Sequence, residues 1–307
     1  RRAVAPMAFL RAVCPTQLRV WLARRSWERE QERLRASLVQ HDDFGWCLDA
    51  DGEDGGDAGR LRVRLVGGLD ISFFSDGGNP SDDRACAALI VCELDERGDL
   101  SVVWKDFVFI RMTEPYIAGF LAFREAPTYC RMLRRLAAER PDLAPDVVLV
   151  DGNGVLHPRG FGVASHVGVL SGCCTIGVAK NLHAVDGLDR DAIKDRCIAA
   201  GGDAHVPLVG ASGRTWGAAL VPAPRKQVGP KRALLAPKNP IFVSVGHRVG
   251  LESCVQVVRL CLLSARVPEP IRLADVLSRE QVRNVRDQEA AAAPAARGWR
   301  VAPWRAG

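Results

Sequence analysis

The sequence predicts an α/β fold built on a mixed central sheet. Three strand-like runs come first, at residues 61–74, 85–94 and 100–109, and the turn at 96–99 suits an antiparallel meander. Helical patterns then alternate with short apolar runs, which is the order of parallel strands linked by helices. With 307 residues and 48% hydrophobic content, the chain can form a large core.

The alternating half predicts the following elements: a helix at 127–139 beginning at Pro127, strands at 147–150, 175–178 and 241–245, a helix from Gly162, and a helix at 251–263. An amphipathic helix at 27–39 precedes the meander. Three antiparallel strands followed by helices and parallel strands is the order of an RNase H-like domain.

The organisation of the chain is predicted as one domain at residues 27–287, preceded by a leader at 1–26 and followed by a low-complexity, disordered tail at 288–307. The leader lacks a sustained apolar core, which argues against a signal peptide and leaves an Arg-rich transit-like leader as the alternative. Residues 49–59 and 221–240 are predicted to be an exposed loop and an exposed insertion.

The composition narrows the class of protein. A formal net charge of +6 is compatible with a polyanionic partner. No run of eighteen apolar residues is present, so no membrane span is expected. The ten cysteines form no CxxC pair, and several lie in apolar elements. This pattern predicts reduced thiols in an intracellular protein and argues against a zinc site.

Residues 145–166, PDVVLVDGNGVLHPRGFGVASH, are the most informative segment. A buried strand stops at Asp151, and a glycine-rich turn with His157 and Arg159 follows. A carboxylate facing a glycine loop and basic groups suits a metal ion beside a phosphate. The alternative is an Asx turn after a strand, which a lone Asp-Gly pair would favour.

Two further acids have similar surroundings. Asp70 lies inside an apolar strand, where a carboxylate normally has a partner such as a cation; the alternative is an edge strand facing water. Glu125 comes just before Pro127, where it would also suit the helix dipole. Together with Asp151, these acids could hold one or two Mg²⁺ ions for phosphodiester hydrolysis.

These motifs resemble the endonuclease V family. Beside the Asp151 segment, three stretches match in order: VGGLDISFF at 66–74, PYIAGFLAFRE at 115–125 and VSVGHRVGLES at 243–253. The resemblance covers roughly residues 27–283. It implies an RNase H-like catalytic domain that cuts the second phosphodiester bond on the 3′ side of inosine, leaving a 3′-hydroxyl and a 5′-phosphate.

The resemblance also implies a set of metal ligands. It assigns Asp70, Glu125 and Asp151 to the metal cluster, with Mg²⁺ as the cofactor and Mn²⁺ as a substitute. Asp275 is a further acidic position that contributes to the cluster, although an Asp at the start of a helix is an equally good account.

The basic side of the implied site consists of three residues. His157 is expected to reach a phosphate, Lys180 to meet a phosphate or orient the attacking water, and His247 to touch a phosphate or a nearby water. Without the resemblance, they would be interpreted as a solvated loop histidine, a solvent-facing lysine and a residue at a helix start.

Base recognition is assigned to two groups of residues. Tyr116 matches the wedge that fills the gap left by an extruded base, whereas on its own it would be interpreted as a packing residue. Ala118 stands where many members have proline, which loosens the wedge loop. The positions that match the lining of the hypoxanthine pocket are Leu121, Gly152, Gly162 and Val163.

The favoured substrate is inosine-containing single-stranded RNA, because the cysteine usage and the segments around residues 73–89 and 268–280 look animal-like. Deoxyinosine in DNA is the rival substrate, since no motif specifies a 2′-hydroxyl contact. Two competing hypotheses are an inosine-RNA-binding protein with little turnover and an RNase H-like nuclease without inosine preference. The expected location is the cytoplasm and the nucleus or nucleolus.

Overall fold

The computed structural model describes residues 15–47, 61–77, 82–201, 205–222, 239–263 and 265–292. The helices are α1 (Pro15–Arg35), α2 (Ala122–Glu139), α3 (Val163–Ser171), α4 (Arg190–Ala200), α5 (Leu251–Leu260) and α6 (Glu269–Ala292). The strands are β1 (Trp46–Cys47), β2 (Leu61–Arg62), β3 (Leu65–Phe73), β4 (Arg84–Leu94), β5 (Leu100–Arg111), β6 (Val147–Asp151), β7 (Thr175–Ala179), β8 (His205–Val209), β9 (Thr215–Leu220) and β10 (Ile241–His247).

Eight of these strands form one mixed sheet, in the order β5-β4-β3-β6-β7-β10-β9-β8. Strands β3, β4 and β5 form an antiparallel meander, whereas β6 runs parallel to both β3 and β7. Strands β10, β9 and β8 continue the sheet in antiparallel fashion. The predicted α/β class, the meander and the following parallel strands are confirmed, and the order is that of an RNase H-like domain.

Helices cover both faces of the sheet, because alternate residues of a strand point to opposite faces. Leu65 and Leu69 of β3 pack in the core that contains α2 and α3, whereas Val66 packs in the core that contains α5. Helix α6 lies directly on the second face: a Cβ at Gly68 would come within 2.3 Å of the Pro270 carbonyl. Asp70 therefore points toward the side of α6.

Helix α1 begins earlier than predicted and is part of the fold. It begins at Pro15 and so crosses the predicted boundary between residues 26 and 27. Trp27 stacks on Phe123 of α2, with ring centroids 5.0 Å apart and an interplanar angle of 6°. The remaining leader, residues 1–14, lies outside the described residues.

Several sequence predictions need correction. The helix predicted from Pro127 begins at Ala122, and Pro127 lies inside it. Helix α4 was not predicted, because it buries only Ile193 and Cys197 and shows no clear apolar stripe. The β8–β9 hairpin was not predicted, because its strands are short and lack a long apolar run. Helix α6 continues to Ala292, past the predicted domain end at 287. The loop at 49–59 and most of the insertion at 221–240 lie outside the described residues.

Nine of the ten cysteines and six α-helices lie in the described ranges. The nine cysteines in the described ranges are free thiols, and all except Cys173 are buried. No helix in these ranges is long and apolar enough to cross a membrane.

Candidate active site

Two acids lie side by side at one end of the central sheet. Strand β3 pairs with β6 in the register Leu69 to Val150, which places Asp70 next to Asp151 on strands about 4.8 Å apart. Asp70 is only 8% exposed, and β3 is an interior strand of the sheet. The alternative of an edge strand facing water is therefore wrong.

Two more acids complete the cluster from the helices. Glu125 lies in the first turn of α2 and is buried, and burial together with the charge of Asp151 raises its pKa to about 8. Asp275 lies in α6, well after its first residue Glu269, so it is not at a helix start. The pKa of Asp70 is well above its ordinary value because of burial and of the charges of Asp151 and Asp275.

Two cations contact this acidic cluster: Lys180, and Arg279, whose Nε lies 2.6 Å from Asp275 Oδ1. Lys180 follows β7, and its Nζ donates to Asp151 Oδ2 at 2.7 Å and lies 4.0 Å from Asp275 Oδ2. Burial lowers the pKa of Lys180, but the charge of Asp151 and the hydrogen bond to it, together with the charges of Asp70 and Asp275, raise the pKa above its ordinary value. Arg266 holds the backbone here by donating to the Lys180 carbonyl at 2.6 Å. Lys180 is therefore a fixed ammonium group at the acids, and the solvent-facing alternative is wrong.

The donor set of this cluster suits a hard divalent cation such as Mg²⁺, which prefers oxygen ligands. Burial without enough neutralising charge is what raises the pKa of Asp70 and Glu125, and a bound cation would relieve it. Among the described residues, no three His, Cys, Asp or Glu side chains are arranged so that they alone could hold a metal ion. Mg²⁺ does not require such a set, because one or two carboxylates together with substrate phosphates commonly hold it.

His247 does not join the cluster. It ends β10, which runs antiparallel to β7, and pairs with Thr175 at the start of β7, whereas Asp151 pairs with Val178. Three residues along a strand amount to roughly 10 Å. The His247 Nδ1 accepts the backbone N–H of Val39 at 3.2 Å. The expectation that His247 acts beside the acids is not supported, because the strand direction carries it to the opposite end.

His157 is buried rather than solvated, and it connects two loops. Its Nδ1 accepts the backbone N–H of Arg159 at 3.2 Å, and its ring hydrogen-bonds the backbone of Gly119. Burial, followed by the charges of His183 and Arg159, lowers the pKa of His157 to about 4. The ring is neutral at physiological pH, so its geometry suits positioning of the loops more than contact with a phosphate as a cation.

Gln31 of α1 reinforces the same connection, and sequence reasoning missed it. Its Nε2 donates to the Phe161 carbonyl at 2.7 Å and lies 3.5 Å from the Gly119 carbonyl. Gln31 is 2% exposed, which is unusual for a glutamine. A lone polar residue on the apolar face of α1, near Trp27, is the signal that could have indicated it.

Backbone atoms line the loop after Asp151. Gly152 has φ +143°, and a Cβ there would come within 2.5 Å of Val163 Cγ1. A Cβ at Gly162 would come within 2.2 Å of the Asn153 carbonyl oxygen, so neither position tolerates a side chain. The Asn153 Oδ1 is buried without a hydrogen-bond partner. These contacts within the chain explain why both positions are glycine, and the role of their peptide groups in facing a base edge stays a prediction.

Two predicted recognition residues are exposed on the segment that leads into α2. Tyr116 is 70% exposed, with the Arg124 guanidinium carbon 5.9 Å from its ring centroid. Leu121, directly before α2, is 38% exposed. The alternative of Tyr116 as a packing residue is therefore wrong, and both side chains are free to meet a ligand.

Acids gathered at adjacent central strands of an RNase H-like sheet place the chain in the class of RNase H-like nucleases. A family model described as Endonuclease V matches residues 53–276. Endonuclease V of Mus musculus is 43% identical over 265 residues, which cover 85% of this chain and 70% of the mouse protein. Endonuclease V of Homo sapiens is 42% identical over 260 residues, covering 84% and 82%. The chain belongs to the endonuclease V family.

Solved structures agree in fold. The crystal structure of human ENDOV has a TM-score of 0.70 and 40% identity, covering 85% of this chain and 98% of the human chain. Endonuclease V of Ciona intestinalis, in complex with a 23mer DNA containing an inosine followed by a ribo-adenosine, has a TM-score of 0.69 and 28% identity. That match covers 89% of this chain and all of the Ciona intestinalis chain. Membership of this family makes the chain a nuclease and hence a hydrolase.

Proposed function

We propose that this chain is a divalent-metal-dependent endonuclease that cuts single-stranded RNA containing inosine. The observation that carries the proposal is the cluster of the buried Asp70 and Glu125 with the half-buried Asp151, which lies beside Lys180 and before a glycine-lined loop. The relative from Ciona intestinalis in complex with inosine-containing DNA supports inosine as the recognised base.

The residues divide into chemical and recognition roles. Asp70, Glu125, Asp151 and Asp275 would hold Mg²⁺, with Mn²⁺ as a substitute. The bound ion would polarise the phosphate and make a water nucleophilic. Glu125 holds a proton at neutral pH in the metal-free fold and must release it before its carboxylate can bind a cation. The charged ammonium group of Lys180 faces a phosphate or orients the water.

Recognition of the base uses the other side of the site. Tyr116 stacks in the gap of the distorted strand, and peptide groups of Gly152 and Gly162, with Leu121 and Val163, receive the hypoxanthine. The cut falls at the second phosphodiester bond on the 3′ side of inosine and leaves a 3′-hydroxyl and a 5′-phosphate. An intracellular location, in the cytoplasm and the nucleus or nucleolus, accords with the free thiols of the described cysteines.

Inosine in DNA is the second candidate substrate. The Ciona intestinalis relative was crystallised with DNA in which a ribo-adenosine follows the inosine, so that strand contains both deoxyribose and ribose. A site that hydrogen-bonds a 2′-hydroxyl would favour the ribose at that position.

The direct test is cleavage of matched strands that contain inosine or adenosine at one position, each made as RNA and as DNA, with Mg²⁺ or with EDTA. The proposal predicts rapid cutting of the inosine RNA, slower cutting of the inosine DNA, and none with EDTA. Equal cutting of the inosine and adenosine strands would refute inosine recognition. Equal rates on RNA and DNA would favour a DNA-repair role.

A further inference from the structure

Three arginines lie around Gly160, in the loop that follows Asp151. A Cβ at Gly160 would lie 3.7 Å from Arg35 Nε and within 3.7–3.8 Å of two Arg214 nitrogens. Arg35 comes from the last turn of α1 and Arg214 from the turn between β8 and β9. A cavity of about 230 Å³ next to them is lined by Gln31, Glu32, Arg35 and Arg159.

Acids lie near these arginines, but ion pairs do not neutralise all three within the described part of the chain. Arg159 has Glu28 at 3.6 Å, and Glu32 lines the cavity, but no ion pair joins Arg35 or Arg214 to an acid among the described residues. Burial, then the charge of Arg35, lowers the pKa of Arg214, and Asp186 offsets this only in part. The helix dipole accounts for a cation at the end of α1 but not for Arg214, which lies on another element.

The guanidinium group of Arg214 is held in place by an aromatic ring, whereas Arg35 is exposed. Arg214 lies over the Trp216 ring, with its guanidinium carbon 4.0 Å from the ring centroid. Gly160 has φ +64° and no side chain, which leaves room for both groups beside the backbone. Planar guanidinium groups that converge without an ion pair of their own, as Arg35 and Arg214 do among the described residues, are suited to bind phosphate oxygens.

The position of this cluster relates it to the active site. Gly160 belongs to the same loop as His157 and Gly162, and Arg159 lies over the Phe120 ring, 5.2 Å from its centroid, next to the segment with Tyr116. We propose that Arg35 and Arg214 form a second binding site, which holds a backbone phosphodiester of the nucleic-acid strand outside the cut position. This rests on the proposed function only in taking a nucleic acid as the ligand.

The test is a salt titration of binding by the full chain to a fluorescent single-stranded RNA without inosine. The variant Arg35→Gln/Arg214→Gln should bind about fivefold more weakly at 0.1 M salt, with a slope of log K against log salt shallower by about 0.7, as one lost phosphate contact predicts. Arg35→Lys/Arg214→Lys keeps the charge and should restore most of the affinity. Cleavage of an inosine strand at saturating concentration should keep its rate.

The matched control is Arg97→Gln. Arg97 is exposed in the β4–β5 turn, beyond the last residue of β4, Leu94, whereas Asp70 pairs with Ala88 in the middle of that strand. It should leave affinity and slope unchanged. Unchanged binding in the double glutamine variant, or an equal loss in Arg97→Gln, would overturn the proposal. If the wild type fails to prefer inosine but the double variant shows the salt effect, the proposed substrate is wrong and the phosphate site stands.

Discussion

At the scale of single residues, the acids were predictable and their electrostatic state was not. The sequence was enough to propose Asp70 and Asp151 as members of a metal-binding cluster, because a carboxylate inside or at the end of an apolar strand needs a partner. The strand register that pairs Leu69 with Val150 and the direction of β10 that carries His247 away are long-range properties. Sequence spacing does not contain them.

The raised pKa of Glu125 predicts a pH-dependent stability. The carboxyl titrates near 4.5 in the unfolded chain and near 8 in the metal-free fold, so between these values the folded state binds the proton more tightly. The free energy of unfolding therefore falls as the pH rises through this window. With EDTA present, wild-type Tm should fall more steeply from about pH 5 to about pH 8 than Tm of Glu125→Gln.

A difference of only about 1 kcal/mol would shift Tm by roughly 2–4 °C in a domain of this size. Glu139→Gln is the control, since Glu139 is exposed at the other end of α2. Parallel Tm curves for wild type and Glu125→Gln would show that the Glu125 carboxyl is not buried against Asp151.

Tyr116→Ala should reduce the preference for inosine over adenosine while leaving the Mg²⁺ dependence intact. The exposed ring is proposed to stack in a distorted strand, which is worth roughly 1–3 kcal/mol per base, or about fivefold to a hundredfold. Single-turnover rates on matched strands measure the effect, and Tyr116→Phe should keep the preference. Full discrimination by Tyr116→Ala would leave the ring without a recognition role.

At the scale of elements, strong periodicity was enough to predict β3 to β7, α3 and α5. The β8–β9 hairpin escaped prediction because β8 alternates buried and exposed residues and contains Pro207. The start of α2 was misplaced because proline is a common first residue of a helix, whereas Phe123, stacked on Trp27, belongs to the turn before Pro127. Packing on α1 decides that boundary, and local sequence does not show it.

Helix α1 should matter for recognition through Gln31. Gln31→Met keeps the volume but leaves the Phe161 carbonyl without its buried donor, which costs about 1–3 kcal/mol. Because the Gly119 and Gly162 loops are then no longer held together, the preference for inosine should fall even well below Tm. Gln17→Met is the control, as Gln17 is exposed on the same helix. A lower Tm with unchanged preference would make Gln31 purely structural.

At the scale of the whole molecule, the fold brings one acidic site and one basic cluster to a single loop, residues 151–162. In the proposed function the carboxylates would hold a cation, and Arg35 and Arg214 would hold the backbone of the strand. The net charge of +6 was compatible with a polyanion but could not indicate where it binds. The proposed location of the phosphate site follows from the packing of α1 and the β8–β9 turn around Gly160.

The proposed preference for RNA depends on the ribose next to the scissile phosphate. Replacing only the ribose next to the scissile phosphate with deoxyribose should slow cleavage about fivefold to a hundredfold, because a group that hydrogen-bonds the 2′-hydroxyl loses its partner. Single-turnover rates at matched salt and Mg²⁺ check this. A deoxyribose placed far from the inosine should have no effect, and an identical rate with the substituted strand would oppose the RNA assignment.

In the proposed mechanism, Asp70, Glu125 and Asp151 hold the metal that hydrolysis needs, while other groups recognise the strand. The most direct measurement compares wild type with Asp151→Asn on inosine RNA, following cleavage with Mg²⁺ and binding with Ca²⁺ in parallel. Loss of several kcal/mol of metal stabilisation predicts a cleavage rate lower by about a thousandfold or more, with affinity within a few-fold of wild type. Near-normal cleavage by Asp151→Asn would contradict the account.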